Sequence, residues 1–221
     1  MSFSYDQAKH HYEVDGRRII SNTDVLKIAG LSNLNAANPV DLHFAAEIGN
    51  QVHAATLLHD QKKGWQKEYG HVAGYVAAWI AFSAEYELKP LLREYSLYDP
   101  IFNYATTVDC FAMSNRGPGT FQIKTVTSIS PETAIQTAAE EHALIMHREV
   151  LPLPSDVLGA IKLVEHWCNG GRKSSENRWA VQLFSNGQYI PHRFEGPYDI
   201  IIFTAALTVA QWLVANGKAK Y

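Results

Sequence analysis

The chain has 221 residues, of which 47% are hydrophobic and 19% charged, and its net charge is −3. That size and balance fit one soluble globular domain with a sizeable core and argue against a general nucleic-acid coat, which would be strongly basic. Two cysteines, Cys110 and Cys168, cannot build a zinc or iron–sulfur site by themselves and fit buried thiols in a reducing cytosol.

The first 16 residues lack the apolar core of a secretory signal. Residues 11–20, HYEVDGRRII, predict a hairpin that turns at Asp15-Gly16. Ser21-Asn22-Thr23-Asp24 then supplies N-cap chemistry for a short helix, Val25 to Ala29, stopped by Gly30. Residues 32–39 are rich in Asn and Ala, end in Pro39 and read as loop. Val40 to Asp60 predicts a helix on which Gly49 and His53, four apart, share a face. His53 alone fits either a structural residue or a ligand, while His43 and His59 fall off that face. A polar connection over residues 61–67 leads to a helix from Gly70 to Glu87, with Val72, Val76, Trp79, Ile80 and Ser83 spaced for burial. Lys89-Pro90 ends it. Leu91 to Tyr98 reads as a strand carrying Glu94, which either faces solvent or turns toward a site.

The chemistry concentrates in Tyr104 to Lys124. Thr106, Val108, Cys110 and Ala112 alternate with Thr107, Asp109, Phe111 and Met113; residues 114–119 are turn formers, and Phe121-Gln122-Ile123-Lys124 resumes the alternation. Gln122 and Lys124 therefore share a face, with Phe121 and Ile123 opposite. A turn centred near Arg116 and Gly117 sets Asp109 across from Lys124 and close to Gln122. A carboxylate with a second oxygen donor can hold a hard divalent cation such as magnesium or manganese, and a neighbouring ammonium can orient water and offset charge on a phosphate. The same spacing also fits an ordinary strand pair with a surface salt bridge.

Ser130-Pro131-Glu132 opens a helix that runs to about His147, with Gln136 and Glu140 four apart. Leu151 to Pro154 reads as a rigid connector and Ser155-Asp156 as the cap of a helix to His166. Residues 169–175 read as a flexible basic loop in which Arg172 and Lys173 either reach phosphates or are merely mobile. Arg178 to Phe184 and Gln188 to Phe194 alternate around Asn186-Gly187, a second hairpin. Tyr198-Asp199 opens a closing helix. Its apolar run, Ile200 to Ala215, is shorter than the roughly 20 residues of a membrane span and suits a helix buried in the core or against a second subunit. No internal repeat and no second domain is evident.

Taken in order, the YEVDG turn, the GNQVH helix, the Glu94 strand, Asp109 followed by Gln122-Ile123-Lys124, the Gln136 helix and the RWAVQLFSNGQY hairpin resemble the PD-(D/E)XK nuclease superfamily, in particular its RecB-like and phage exonuclease branch. The resemblance spans most of the chain and implies a single domain over residues 1–221. The implied fold is α/β and restriction-endonuclease-like, a central mixed β-sheet flanked by helices. It implies a cytoplasmic, metal-dependent DNA nuclease, with Mg2+ or Mn2+ on Asp109, Gln122, the Ile123 carbonyl and His53, and with Lys124 activating water. Gln136 would help place DNA, with Arg172 and Lys173 as further DNA contacts and Glu94 and Glu140 as accessory groups. The pattern departs at two positions: Gln122 stands where the family usually carries an acid, and Glu140 where it carries a Tyr. Four-cysteine, cluster-bearing relatives are excluded. The implied partners are DNA, further copies of the chain, and a single-strand-annealing or recombination protein, with no membrane. Two alternatives stand beside an exonuclease: a nuclease fold that has lost catalysis and acts as a DNA-binding or assembly subunit, and a structure-specific endonuclease.

Overall fold

The computed structural model describes residues 2–6, 11–32, 39–148 and 153–221. At the N-terminus β1 (Phe3–Asp6), β2 (His11–Val14) and β3 (Arg17–Ile19) form a small antiparallel sheet. The β2–β3 turn falls on Asp15 and Gly16, both at positive φ (48° and 74°), where Asp-Gly meets the demand of a two-residue hairpin. Helix α1 (Asn22–Ile28) starts on a capping box: Ser21 Oγ accepts from the Asp24 amide and the Asp24 carboxylate accepts from the Ser21 amide. Part of the loop expected at 32–39 lies outside the described residues. Pro39, expected in that loop, instead opens α2 (Pro39–Asp60), a position whose missing amide costs a helix nothing.

The short α3 (Gln66–Tyr69) and a 3-10 turn at Gly70–Val72 precede α4 (Ala73–Glu85). Val72, Val76 and Trp79 are buried as expected; Ile80 is 38% exposed, and Phe82 takes the core position. The main sheet then forms from β4 (Lys89–Asp99), β5 (Tyr104–Ser114), β6 (Gly117–Lys124), β7 (Arg178–Leu183) and β8 (Tyr189–Phe194), adjacent in that order. Neighbours are antiparallel except β6 and β7, which are parallel. A parallel pair needs a long crossover, supplied by α5 (Glu132–His147) and α6 (Ser155–Trp167). The closing helix is α7 (Asp199–Ala215).

The sheet therefore has a helix layer on each side. One core gathers Val108, Phe111, Leu144, Ile161 and Phe203 under α5, α6 and α7; the other gathers Val52, Trp79, Phe121 and Ile123 under α2 and α4. This is an α/β fold with a mixed five-stranded sheet flanked by helices. Among the described residues no helix is long and apolar enough to cross a membrane. Helix α7 buries Phe203, Leu207 and Ala210 but exposes Ile201, Ile202, Val209 and Trp212, so only one of its faces is in the core.

The segment expected to be a flexible loop before β7 is anchored. Ser174 and Ser175 are buried, the Ser174 amide donates to Pro197 O (2.8 Å), and the Ser175 amide and hydroxyl donate to the buried Glu141 carboxylate. Next to it the fully buried Arg178 donates to Ser175 O (2.9 Å), Ala134 O (2.7 Å), Gly196 O (2.9 Å) and Asp199 Oδ2 (2.7 Å). One guanidinium thus ties β7, α5 and α7 together. It also donates to Thr137 Oγ1 (3.2 Å), so its removal takes a donor from five acceptors, one of them charged. Arg178→Ala is expected to lower unfolding free energy by about 3–5 kcal/mol, measured by urea denaturation; a loss below about 1 kcal/mol would mean that water replaces those bonds freely.

Candidate metal centre

Hairpin register sets the site. Ser114 pairs with Gly117, so the turn holds Asn115 and Arg116. That is one residue earlier than expected, and each residue moves the facing partner by two. Asp109 is therefore level with Gln122 rather than Lys124. The ladder, however, ends at Cys110↔Phe121. Beyond it β5 and β6 part, while β6 stays paired with β7 as far as Lys124↔Gln182. The Asp109 carboxylate enters the opening and accepts from the Ile123 amide at 2.8 Å, replacing the lost strand partner.

A second irregularity lies at the same level in β4. Arg93 pairs with Cys110 and Tyr95 with Val108, leaving Glu94 opposite Asp109. Glu94 has φ 45°, a left-handed conformation unusual for a side chain with a Cβ. In a regular strand consecutive side chains face opposite ways, yet Arg93 and Glu94 both meet α2. Arg93 donates to Thr56 and forms an ion pair with Asp60, and Glu94 Oε1 bonds to His53 Nδ1 at 2.8 Å. His53 Nε2 lies 3.8 Å from Asp109 Oδ2. Among the described residues His53, Glu94 and Asp109 form the group that can each offer one ligand atom, all within 4.8 Å of one another. The side chains are 25%, 26% and 13% exposed, so the group is sheltered but open to solvent.

Arg93, which no sequence pattern marks, holds this arrangement. It donates to the Asp109 carbonyl (2.8 Å) and Thr56 Oγ1 (3.0 Å) and pairs with Asp60 (2.9 Å); Thr56 Oγ1 donates in turn to the His53 carbonyl (3.0 Å). The strand bearing Asp109 and the helix turn bearing His53 are thus bolted to one guanidinium. Close packing does not require a glycine at position 49. A Cβ there would sit 3.7 Å from Thr125 Oγ1, an ordinary contact.

Gln122 and Lys124 share a face, as alternation requires, and that face meets α5. Gln122 Nε2 donates to Glu140 Oε1 at 2.6 Å and Lys124 Nζ donates to Gln136 Oε1 at 3.4 Å. Phe121 and Ile123 pack in the opposite core. The amide and the amine therefore approach from the α5 side, and His53 and Glu94 from the α2 side, with Asp109 at the opening between them. Charge couples the two groups: Asp109 and Lys124 both act on His53 and on Glu140. From Lys124 and Gln136 a cleft of about 560 Å3 runs between α1 and the start of α5, past Thr23, Lys27, Ser128 and Ser130.

Arg172 and Lys173 are not brought to this cluster. Arg172 borders a cleft beside His142 and Ile201, and Lys173 one beside Arg116, Trp167 and Arg193, where β6 begins. Lys124 ends that strand, about 23 Å away at a rise of about 3.3 Å per residue. Glu94, for which the sequence allows either solvent or a site, belongs to the site, and Glu140 is fully buried on α5.

The donor set fits a hard divalent cation: two carboxylates and an imidazole, with a second group holding an amide oxygen that has no partner among the described residues. The charge around the site fits as well. Burial pulls the His53 pKa down, but Asp109 and the bonded Glu94 outweigh it and push it up to about 9. Burial first, then Asp109, hold Glu140 well above the usual carboxylate range against the opposing pull of Lys124 and Gln122. No family model and no curated protein matches this sequence.

A raised His53 pKa makes the protonated ring a stabilising partner for two carboxylates when no metal is added. That contribution is complete below the unfolded value near 6.5 and is lost as pH rises through about 9. In the presence of a chelator the unfolding temperature is expected to fall between pH 6.5 and 9, and to fall less in His53→Gln. Parallel curves for the two proteins would show that His53 does not titrate against Asp109 and Glu94.

Proposed function

We propose that this protein is a metal-dependent DNA nuclease of the PD-(D/E)XK kind with a restriction-endonuclease-like domain, acting as a phage-type exonuclease in recombination or DNA processing. The observation that carries the reading is the meeting of His53, Glu94 and Asp109 at the opening between β5 and β6, with Lys124 on the adjoining strand. A surface salt bridge needs no opened ladder and no left-handed Glu94. The strand order, with one parallel pair joined by a helical crossover, is compatible with such a domain.

His53, Glu94 and Asp109 would hold the cation, with Gln122 and the Ile123 carbonyl at its border. A bound Mg2+ or Mn2+ supplies Lewis acidity, lowering the pKa of a bound water and offsetting charge on the phosphodiester. Lys124 is steadied by Gln136 and can orient the attacking water and meet the negative charge that develops on phosphorus. Water oxygen would bond to phosphorus and release a proton to solvent, the bond to the 3′ oxygen would break, and that oxygen would take up a proton from solvent. The cleft past Lys27, Ser128 and Ser130 offers hydroxyl and ammonium donors to a strand leaving Lys124. An imidazole suits transition-metal ions better than magnesium, so manganese is expected to support the greater activity.

Asp109→Ala and Lys124→Ala are each expected to lower cleavage of labelled linear duplex by at least about a thousandfold, with circular dichroism unchanged. Full activity in either folded variant would refute the assignment. The neutral Gln122 favours a second reading, a nuclease fold that binds DNA without cutting it. Retarded but intact DNA in manganese would support that reading, and cleavage confined to branched substrates would support a structure-specific endonuclease.

A further inference from the structure

We infer that Glu140 is a positioning residue of the cation site, and that with Gln122 it forms a charge-relocated pair: the carboxylate sits on α5, while the amide it orients presents an oxygen at the strand. The inference rests on the metal-dependent reading and concerns how this chain serves such a site without an acid at position 122.

The geometry is specific. Gln122 is 1% exposed and Glu140 is fully buried, and they are joined by one short bond, Nε2 to Oε1 at 2.6 Å. The observed bond, amide nitrogen to carboxyl oxygen, is the one an ionised Glu140 makes, since that form can only accept. Glu140 therefore fixes which way Gln122 is turned, with nitrogen toward α5 and oxygen away from it. That oxygen, Gln122 Oε1, has no hydrogen-bond partner among the described residues, and neither has Glu140 Oε2. Two unsatisfied oxygens within one buried pair are costly, since each is stripped of water. A pair that served packing alone would be better replaced by apolar side chains. Asp109 and Lys124 both act electrostatically on Glu140, which lies one helical turn beyond Gln136, the acceptor of the Lys124 ammonium. The same buried carboxylate thus bonds to the amide level with Asp109 and shares a helix face with the residue that steadies Lys124.

The hydrogen bond can be inverted without changing its shape. In the double variant Gln122→Glu, Glu140→Gln an amide on α5 donates to a carboxylate on β6, and the negative charge moves across one bond. Glu140→Gln alone removes the charge and leaves the orientation of the Gln122 amide unfixed.

The test is calorimetric titration of the purified full chain with MnCl2, without DNA. Glu140→Gln is expected to weaken Mn2+ binding by about tenfold or more, the usual scale for a residue that orients a ligand. The double variant is expected to bind at least as tightly as wild type. A merely structural Glu140 would change the unfolding temperature and leave the Mn2+ affinity alone. Equal affinity in wild type and folded Glu140→Gln would overturn this inference and leave the metal-dependent reading standing. No Mn2+ binding by wild type would overturn both. If Glu140→Gln does not fold, the double variant read against wild type decides, and tenfold weaker binding there would overturn the inference.

Discussion

The rest of the site depends on one hydrogen bond that stands in for a strand. Where β5 and β6 part, the Ile123 amide loses its cross-strand acceptor, and Asp109 Oδ2 takes that place at 2.8 Å. A buried amide left open is costly, so the carboxylate is drawn into the gap and held between the two helix layers. From there it faces His53 at 3.8 Å on one side and acts on Glu140 on the other. In a fully zipped hairpin Asp109 would be one more side chain on a sheet face, and no donor group could gather around it.

Holding the sheet open has costs, and the surrounding residues offset them. The left-handed backbone at Glu94 costs on the order of 1–3 kcal/mol. It turns Arg93 and Glu94 to the same helix, where Arg93 secures Thr56, Asp60 and the Asp109 carbonyl, and Glu94 secures His53. The Arg93 guanidinium also lies 5.0 Å over the Trp79 ring, whose indole donates to Asp60. Strain sits at the charged residues, and its support is a network in the adjoining core.

Regular segments were legible in the sequence. Asp15-Gly16, the Ser21–Asp24 capping box, Asn186-Gly187 and the alternation of β6 each carry a local signal, and each forms the element it predicts. What was hidden is what departs from periodicity. Val108 and Cys110 should share a face, yet they belong to different cores, because the strand turns over at Asp109. Glu94 could not be assigned for the same reason, since alternation places it away from Arg93. The hairpin register was misjudged by one residue in the turn, as residues 114–119 offer several turn formers in a row. Arg93 and the Gln122–Glu140 bond are long-range contacts between elements far apart in sequence, without a spacing that marks them. Tertiary bonding also overrides the Gly- and Ser-rich composition of residues 169–175, where Glu141 and Pro197 fix two serines.

The most direct measurement is anomalous diffraction from a crystal soaked in manganese and collected above the manganese absorption edge. A single strong peak bonded to Asp109, His53 and Glu94, at the roughly 2.0–2.3 Å usual for oxygen and nitrogen donors on such ions, is the expected result. A saturated crystal with no peak at the opening between β5 and β6, or with manganese bound only at exposed acids elsewhere, would contradict a metal centre built on the parted hairpin.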